Sequence, residues 1–263
     1  MVGLALVTLV LVAAVIGLVA TPASANRSNL AQRLQAPSMA HVLGTDGSGR
    51  DILQRVLSGA PLSLAVGVVA VAIGSLLGSA QGLIAGYRGS LIGAIIMRFT
   101  DALLAFPTLL LALAIMATLG AGLLNVMIAV GLSSMPRFTR LMQAEVLSLR
   151  GREYVVAARS VGATTSSILV RHILPNALSS VLVLSTLSIS TAILAEATLS
   201  FLGLGPRPPT ATWGSMISDG TSVLQAAPWV VLFPGLAITL TVLGFSLLGD
   251  GLRDALDVRL RDR

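Results

Sequence analysis

Ionisable side chains inside long apolar runs are where this sequence places its chemistry. Arg98 and Asp101 stand three residues apart in the run 91–119, so a helix puts them on one face where they can pair. Two readings stay open: an intrahelical pair that makes the helix insertable, or a polar contact at an interface or beside a path. Glu196 is the one charge in the run 177–200 and has no partner in its own span. A carboxylate in an apolar span is costly and marks a functional candidate. The remaining chemistry is thin. Lysine and cysteine are both absent, so no phosphate-binding G-x4-G-K-[ST] loop, thiolate metal site or cysteine nucleophile exists. His41 and His172 fall on opposite sides of the expected topology, so they build neither a serine triad nor a metal cluster.

The elements that hold these residues are membrane spans. Of 263 residues 55% are apolar and 11% charged, with mean hydropathy +0.91. Soluble domains carry about 25% charge, so a soluble globular enzyme is excluded. The net charge of +6 comes from scattered arginines that form no stripe, so it sets topology and does not bind nucleic acid.

About 20 apolar residues cross a ~30 Å hydrocarbon core. Six runs qualify: 2–20, 61–86, 91–119, 121–136 (extensible to about 142), 177–200 and 228–249. Ala23-Ser24-Ala25 after the first run resembles a cleavage site, but its 19-residue length and lack of a basic lead favour a retained span. With the N terminus inside, outer segments hold five arginines and inner segments nine, which places both termini in the cytoplasm. The expected fold is all-α, an integral membrane protein with six transmembrane helices.

The longest inner loop, 143–176, reads as helix, glycine turn, short helix. Tyr154, Ala157, Ala158 and Val161 fall at i, i+3, i+4 and i+7. Gly162 suits the left-handed position that ends a helix. Thr165 or Ser166 caps a second helix running to about His172, and Pro175 starts the next span. Such a loop is either a handle for another protein or an amphipathic connector resting on lipid.

Ala157-Ala158-x3-Gly162, then Leu174-Pro175, resembles the E-A-A-x3-G-x9-I-x-L-P loop of bacterial ABC importer permeases. Val156 stands at the glutamate position and His172 at the isoleucine; Glu153, one turn upstream, offers a substitute acid. Three further stretches resemble the second, C-type permease of dipeptide, oligopeptide and nickel importers. They are His41 to Leu64, Phe201 to Gly214 with Pro208-Pro209 and Trp213, and Leu248 to Asp254. With Ala105-Phe106-Pro107 they cover about residues 41–260.

The resemblance implies a type I ABC importer permease architecture, non-catalytic, in the bacterial cytoplasmic membrane. It implies a first helix and extracytoplasmic segment over 1–58, a transmembrane domain over 59–251 and a cytoplasmic tail over 252–263. The implied partners are a second homologous permease, two ATP-binding subunits or one fused ATPase, an extracytoplasmic substrate-binding protein and membrane lipid. ATP and magnesium sit on the ATPases, and this chain holds no cofactor. Glu153, Ala157, Ala158, Gly162, Leu174 and Pro175 become the ATPase-coupling loop. Arg98, Asp101, Glu196 and Trp213 become candidates for the pathway or the permease interface, with Glu196 meeting the ammonium group of a peptide. The implied substrate is a di- or oligopeptide, with nickel chelates or glutathione as alternatives. A secondary transporter is the other class, though no internal repeat supports it.

Three patterns complete the expectation. Gly74, Gly78, Gly82 and Gly86 form a small-xxx-small ladder for close helix packing. Pro107 and Pro136 kink their helices. Asp46, Arg50, Asp51 and Arg55 read as a solvated helix start on the outer face.

Overall fold

The computed structural model describes residues 1–20, 27–88, 91–206 and 209–256. The expectations at Ala23–Ala25, Arg207, Pro208 and the tail from 257 onward lie outside the described residues.

Ten helices follow one another among the described residues: α1 Val2–Val19, α2 Ile52–Arg88, α3 Leu91–Leu104, α4 Thr108–Leu119, α5 Leu123–Leu149, α6 Glu153–Ser160, α7 Thr165–Ile168, α8 Leu174–Phe201, α9 Trp213–Gly220 and α10 Trp229–Leu256. There is no strand among the described residues beyond one bridge between Thr45 and Asp51. Uninterrupted apolar runs with no water to satisfy the backbone force this outcome, since a helix closes its own hydrogen bonds.

Four segments are long and apolar enough to cross a membrane: Val2–Val19, Ile52–Tyr87, Thr165–Phe201 and Trp229–Leu256. The expected third span is not one straight helix. It breaks into α3 and α4, bent by 97°. The break lies at Ala105–Pro107. Pro107 has no N–H to donate and pushes the residue before it away from helical geometry. Phe106 N–H closes α3 on Leu103 O, and Leu111 N–H opens α4 on Pro107 O. Pro136, in contrast, is buried inside a continuous α5. That helix has the length to span, about 40 Å at 1.5 Å per residue, but Arg137 and Arg140 interrupt its apolar face.

The core is a seam between α2 and α5. A side chain at Gly78 would stand 2.5 Å from Met135 O, and one at Gly82 2.5 Å from Thr139 O. Gly74 faces Gly131 and Ser134, and Gly86 faces Val146. The partners climb in step, so the two helices run parallel with their backbones nearly touching. Phe138, Met142 and Val146 fill the adjacent interior with no exposure.

Helices α1 and α8 run antiparallel to α2, and α10 runs antiparallel to α1. Ile189 and Ile193 of α8 meet α2 at Gly67. On α1, Gly3 lies against Leu247 and Leu248 of α10, while Leu6 and Val7 lie against Gly244. The start of α1, the end of α10 and the loop α6–α7 therefore share one end of the bundle. Val2, Leu4, Leu11 and Leu18 point outward from α1, as a lipid-facing helix requires.

Leucine at Gly82 forces its side chain into the α5 backbone and should cost about 3 kcal/mol or more. Alanine at Gly235, where nothing lies within 4 Å, should be neutral. Thermal unfolding of the detergent-purified protein checks both: a large drop for Gly82→Leu and an unchanged midpoint for Gly235→Ala.

Candidate functional site

The first site is the loop at the shared end. Arg150 donates to Gly86 O at 3.2 Å and ties the end of α5 to the end of α2. Arg152 N–H closes the turn on Leu149 O. Helix α6 then begins at Glu153, whose charge suits a helix N terminus, and carries Arg159 in its last turn. Gly162 has φ +85°. Ala163 N–H bonds to Ala158 O and Gly162 N–H to Arg159 O, the paired closure of a Schellman turn. The expected glycine stop is present.

The cap of α7 is Thr164, whose hydroxyl accepts from Ser167 N–H at 3.4 Å, and not Thr165 or Ser166. The expected second helix is also interrupted. It passes through a wider π-helical turn, Leu169–Ile173, into α8, where Pro175 occupies the first turn.

The loop is anchored from within and apolar without. Val155, Ile168 and Ile173 are buried in the core cluster. Val161 is 84% exposed and Val170 62%. Glu153, Ala157 and Pro175 are exposed, and Ala158 and Leu174 half-buried. A helix end carrying bare valines over a fixed base is a shape for gripping.

The second site lies on the outer flank of α5. Asp101 does not pair with Arg98. It bonds to Arg140 of α5, because α3 leans against α5 and turns Asp101 toward it. Arg98 is exposed and makes no ion pair among the described residues. Arg137 donates to Thr108 Oγ1 at 2.9 Å. Thr108 is the first residue of α4, so the arginine closes on the 97° break. Two hollows meet there. One of about 250 Å³ is lined by Ser134, Arg137, Thr191 and Thr198 among others. The other, about 290 Å³, is lined by Pro107, Thr108, Ser133 and Arg137 among others. The extension of the fourth apolar run to about 142 takes in Arg137 and Arg140 only if both lie near an interface. Their i, i+3 spacing within an apolar run was the available signal.

The third site caps the opposite end. The segment expected as a solvated helix start is a buried ion cluster. Asp46 accepts from Ser48 N–H at 2.8 Å, Arg50 N–H at 2.9 Å and Arg50 Nε at 2.7 Å. Arg55 lies 3.6 Å from Asp46 and 3.8 Å from Asp219 of α9. His41 Nδ1 is 2.8 Å from Asp51. These pairs fasten the segment before α2 to α9.

Glu196 and Trp213 belong to the same cap, and both are buried within the chain. Glu196 is fully buried. Its Oε1 accepts from Ser200 Oγ and from Thr212 Oγ1, each at 2.7 Å. The expected lack of a partner in its own span is wrong, because Ser200 sits one helical turn away. Thr212 also caps α9, so Glu196 holds that helix down. Trp213 is 2% exposed; its indole donates to Val56 O at 2.9 Å and its backbone N–H to Ser63 Oγ at 3.1 Å. It pins α9 to α2.

The fold and sites define a multi-pass helical transport subunit with a gripping loop at one end and a clamped cap at the other. The family model for "binding-protein-dependent transport system inner membrane component" matches residues 78–262, and the chain belongs to that family. It is a non-catalytic permease subunit of the inner membrane. A chain from Alkalihalophilus pseudofirmus, "dipeptide transport system permease protein DppC", is 47% identical over 99% of this chain and 86% of that one. A "glutathione transport system permease protein GsiD" from Pectobacterium atrosepticum is 48% identical over 86% of this chain and 75% of that one. Among solved structures, an inward-facing MetNI methionine ABC transporter chain superposes with TM-score 0.62 at 18% identity. It covers 77% of this chain and 97% of that one. An amino acid ABC transporter gives 0.59 at 19% identity, covering 77% and 94%. The likeness supports the permease fold, and membership of the family sets aside the secondary-transporter alternative.

Glu196→Gln keeps the accepting oxygen, so stability and peptide uptake should stay near wild type. Glu196→Ala strands two buried hydroxyls and should cost about 2 kcal/mol. The thermal midpoint in detergent reads the difference. Asp46→Ala leaves Arg55 buried beside one acid instead of two and should cost about 3 kcal/mol by the same measurement.

Proposed function

We propose that this chain forms half of the translocation pathway of an ATP-driven importer for di- or oligopeptides. Six crossings, counting α5 and the bent α3–α4 pair, with both termini in the cytoplasm, complete the proposed topology. The observation that carries the reading is the 47% identity along 99% of the chain to a permease named for dipeptide transport. The four motifs along residues 41–260 support it independently. Residues 1–58 supply a peripheral helix and the outer clamp, 59–251 the permease domain, and 252–263 a cytoplasmic tail. A second permease forms the other half. Two ATP-binding subunits, or one fused ATPase, hold ATP and magnesium. A substrate-binding protein delivers the peptide from outside. Glutathione is the second reading, favoured by the 48% identity to a permease so named.

The mechanism is alternating access. The coupling loop, with Glu153, Ala157, Ala158, Gly162, Leu174 and Pro175, sits in a cleft of the ATPase. ATP binding closes the ATPases, and the loop carries that motion into α5 and α8. The helices then exchange between two packings whose balance the ATPases bias. Exposed Val161 and Val170 supply the apolar surface that the cleft covers.

The test is uptake in cells lacking their own peptide and glutathione systems, expressing the whole importer. Labelled dialanine should accumulate, and an ATPase inactive in hydrolysis should abolish it. Accumulation of glutathione but not dialanine selects the second reading. Accumulation of neither overturns both.

A second prediction isolates the loop. Gly162 has a left-handed backbone and open space around it, so a side chain there acts through φ alone. Gly162→Val should cut uptake at least tenfold, because a β-branched residue disfavours that φ, while ATP hydrolysis by the assembled complex persists. Gly162→Asn, which tolerates the conformation, should retain most uptake. Equal activity of the two variants would remove the coupling account.

A further inference from the structure

We propose that Arg137 is the cation that holds the substrate's carboxylate during passage through the membrane. The inference rests on the peptide-importer reading and names the chemistry that its path recognises.

Depth comes first. Arg137 lies beside the α2–α5 seam at the level of Gly78, whose neighbours are Met135 and Phe138. From Gly78 to the end of the uncharged run at Gly86 is about 12 Å of helix. A charge that far inside the apolar layer is expensive unless it meets water or an opposite charge. Arg140, one turn further on, has such a partner in Asp101. Arg137 has none among the described residues. Its single hydrogen bond there goes to a neutral hydroxyl, Thr108 Oγ1.

Surroundings come second. Arg137 and Thr108 both line each of the two hollows at the α3–α4 break. Around them the walls offer the hydroxyls of Ser133, Ser134, Thr191 and Thr198. Among the described residues no carboxylate lines either hollow. Each of these hydroxyls donates its proton to a carbonyl of its own helix, which leaves oxygen lone pairs that accept from a peptide's N–H groups without fixing its sequence. The guanidinium has five N–H donors, and one contact to Thr108 leaves a fork free for a carboxylate. A residue kept for an ion pair with the partner permease would have no need of hollows on both sides. Every peptide substrate brings a terminal carboxylate, whatever its side chains, so one fixed cation serves all of them.

The test is a two-by-two cycle on the complete importer in proteoliposomes with its binding protein. Uptake is compared for the imported substrate, dialanine or glutathione, and its C-terminal amide, in wild type and Arg137→Gln. Selection by the binding protein cancels in the ratio of ratios. Arg137→Gln should lower the acid-to-amide preference roughly tenfold, the value of one charge-assisted hydrogen bond. A preference unchanged within about twofold overturns the proposal. So does an equal loss for acid and amide, which is the signature of a permease–permease contact. If Arg137→Gln fails to assemble, Thr108→Val is read instead: it removes the orienting hydroxyl and should lower the preference about threefold. No change there also overturns the proposal. A wild-type complex that imports neither acid overturns the importer reading itself. Import with an unaltered preference overturns only the role of Arg137.

Discussion

The backbone-to-backbone approach of α2 and α5 is the constraint on which the other features depend. Four glycines on α2 let the helices meet without intervening side chains, so van der Waals contact replaces the hydrophobic effect that lipid cannot supply. The seam joins both ends of the molecule. The start of α2 carries Arg55 and receives the outer clamp. The end of α5 runs straight into the α6–α7 loop, fastened to α2 by Arg150 and Gly86. Between them the seam sets the depth of Arg137. A side chain that spread the two helices would shift all three at once.

Buried polarity is handled in two ways. At the cap, charges are removed from water and bonded inside the chain, save Glu196 Oε2 and one Arg55 guanidinium nitrogen, which are buried with no partner among the described residues. Glu196 takes two hydroxyls, and Asp46 takes two backbone N–H groups and two arginines. Such a network fixes geometry more than it adds stability, because desolvation offsets much of the attraction. Along α5 the opposite holds. Arg137 and Arg140 keep their charged ends on an open flank. The cap is therefore built to stay still, whereas on the flank Arg140 pairs with Asp101 and Arg137 meets only a hydroxyl among the described residues.

What was legible in the sequence was local. The α6 helix, its stop at Gly162 and the start of α8 at Pro175 follow from neighbouring residues, and so does the glycine ladder. What was not legible depends on distant partners. Asp101 chose Arg140 over Arg98, which needs α3 to lean on α5. Glu196 was an apparent pathway acid until Thr212, supplied by the next connection, closed over it. Trp213 is a candidate for the pathway or the permease interface in sequence, and its indole reaches Val56 across the fold. A run of apolar residues from 91 to 119 cannot reveal a 97° bend, because hydropathy carries no direction. Pro107 marked the place and not the angle.

The same two helices that hold the loop also wall the hollow of about 250 Å³. Val130, Ser134 and Arg137 come from α5, and Ser188, Thr191 and Ala195 from α8. One helix descends into the loop and the other rises from it. Buried Val155, Ile168 and Ile173 clamp the loop to both, so the loop cannot swing free of them. A displacement imposed on α6 and α7 is therefore passed to the adjoining ends of α5 and α8 together. Coupling between the ends needs no relay of special side chains. It needs a base too well packed to deform and two arms that share it.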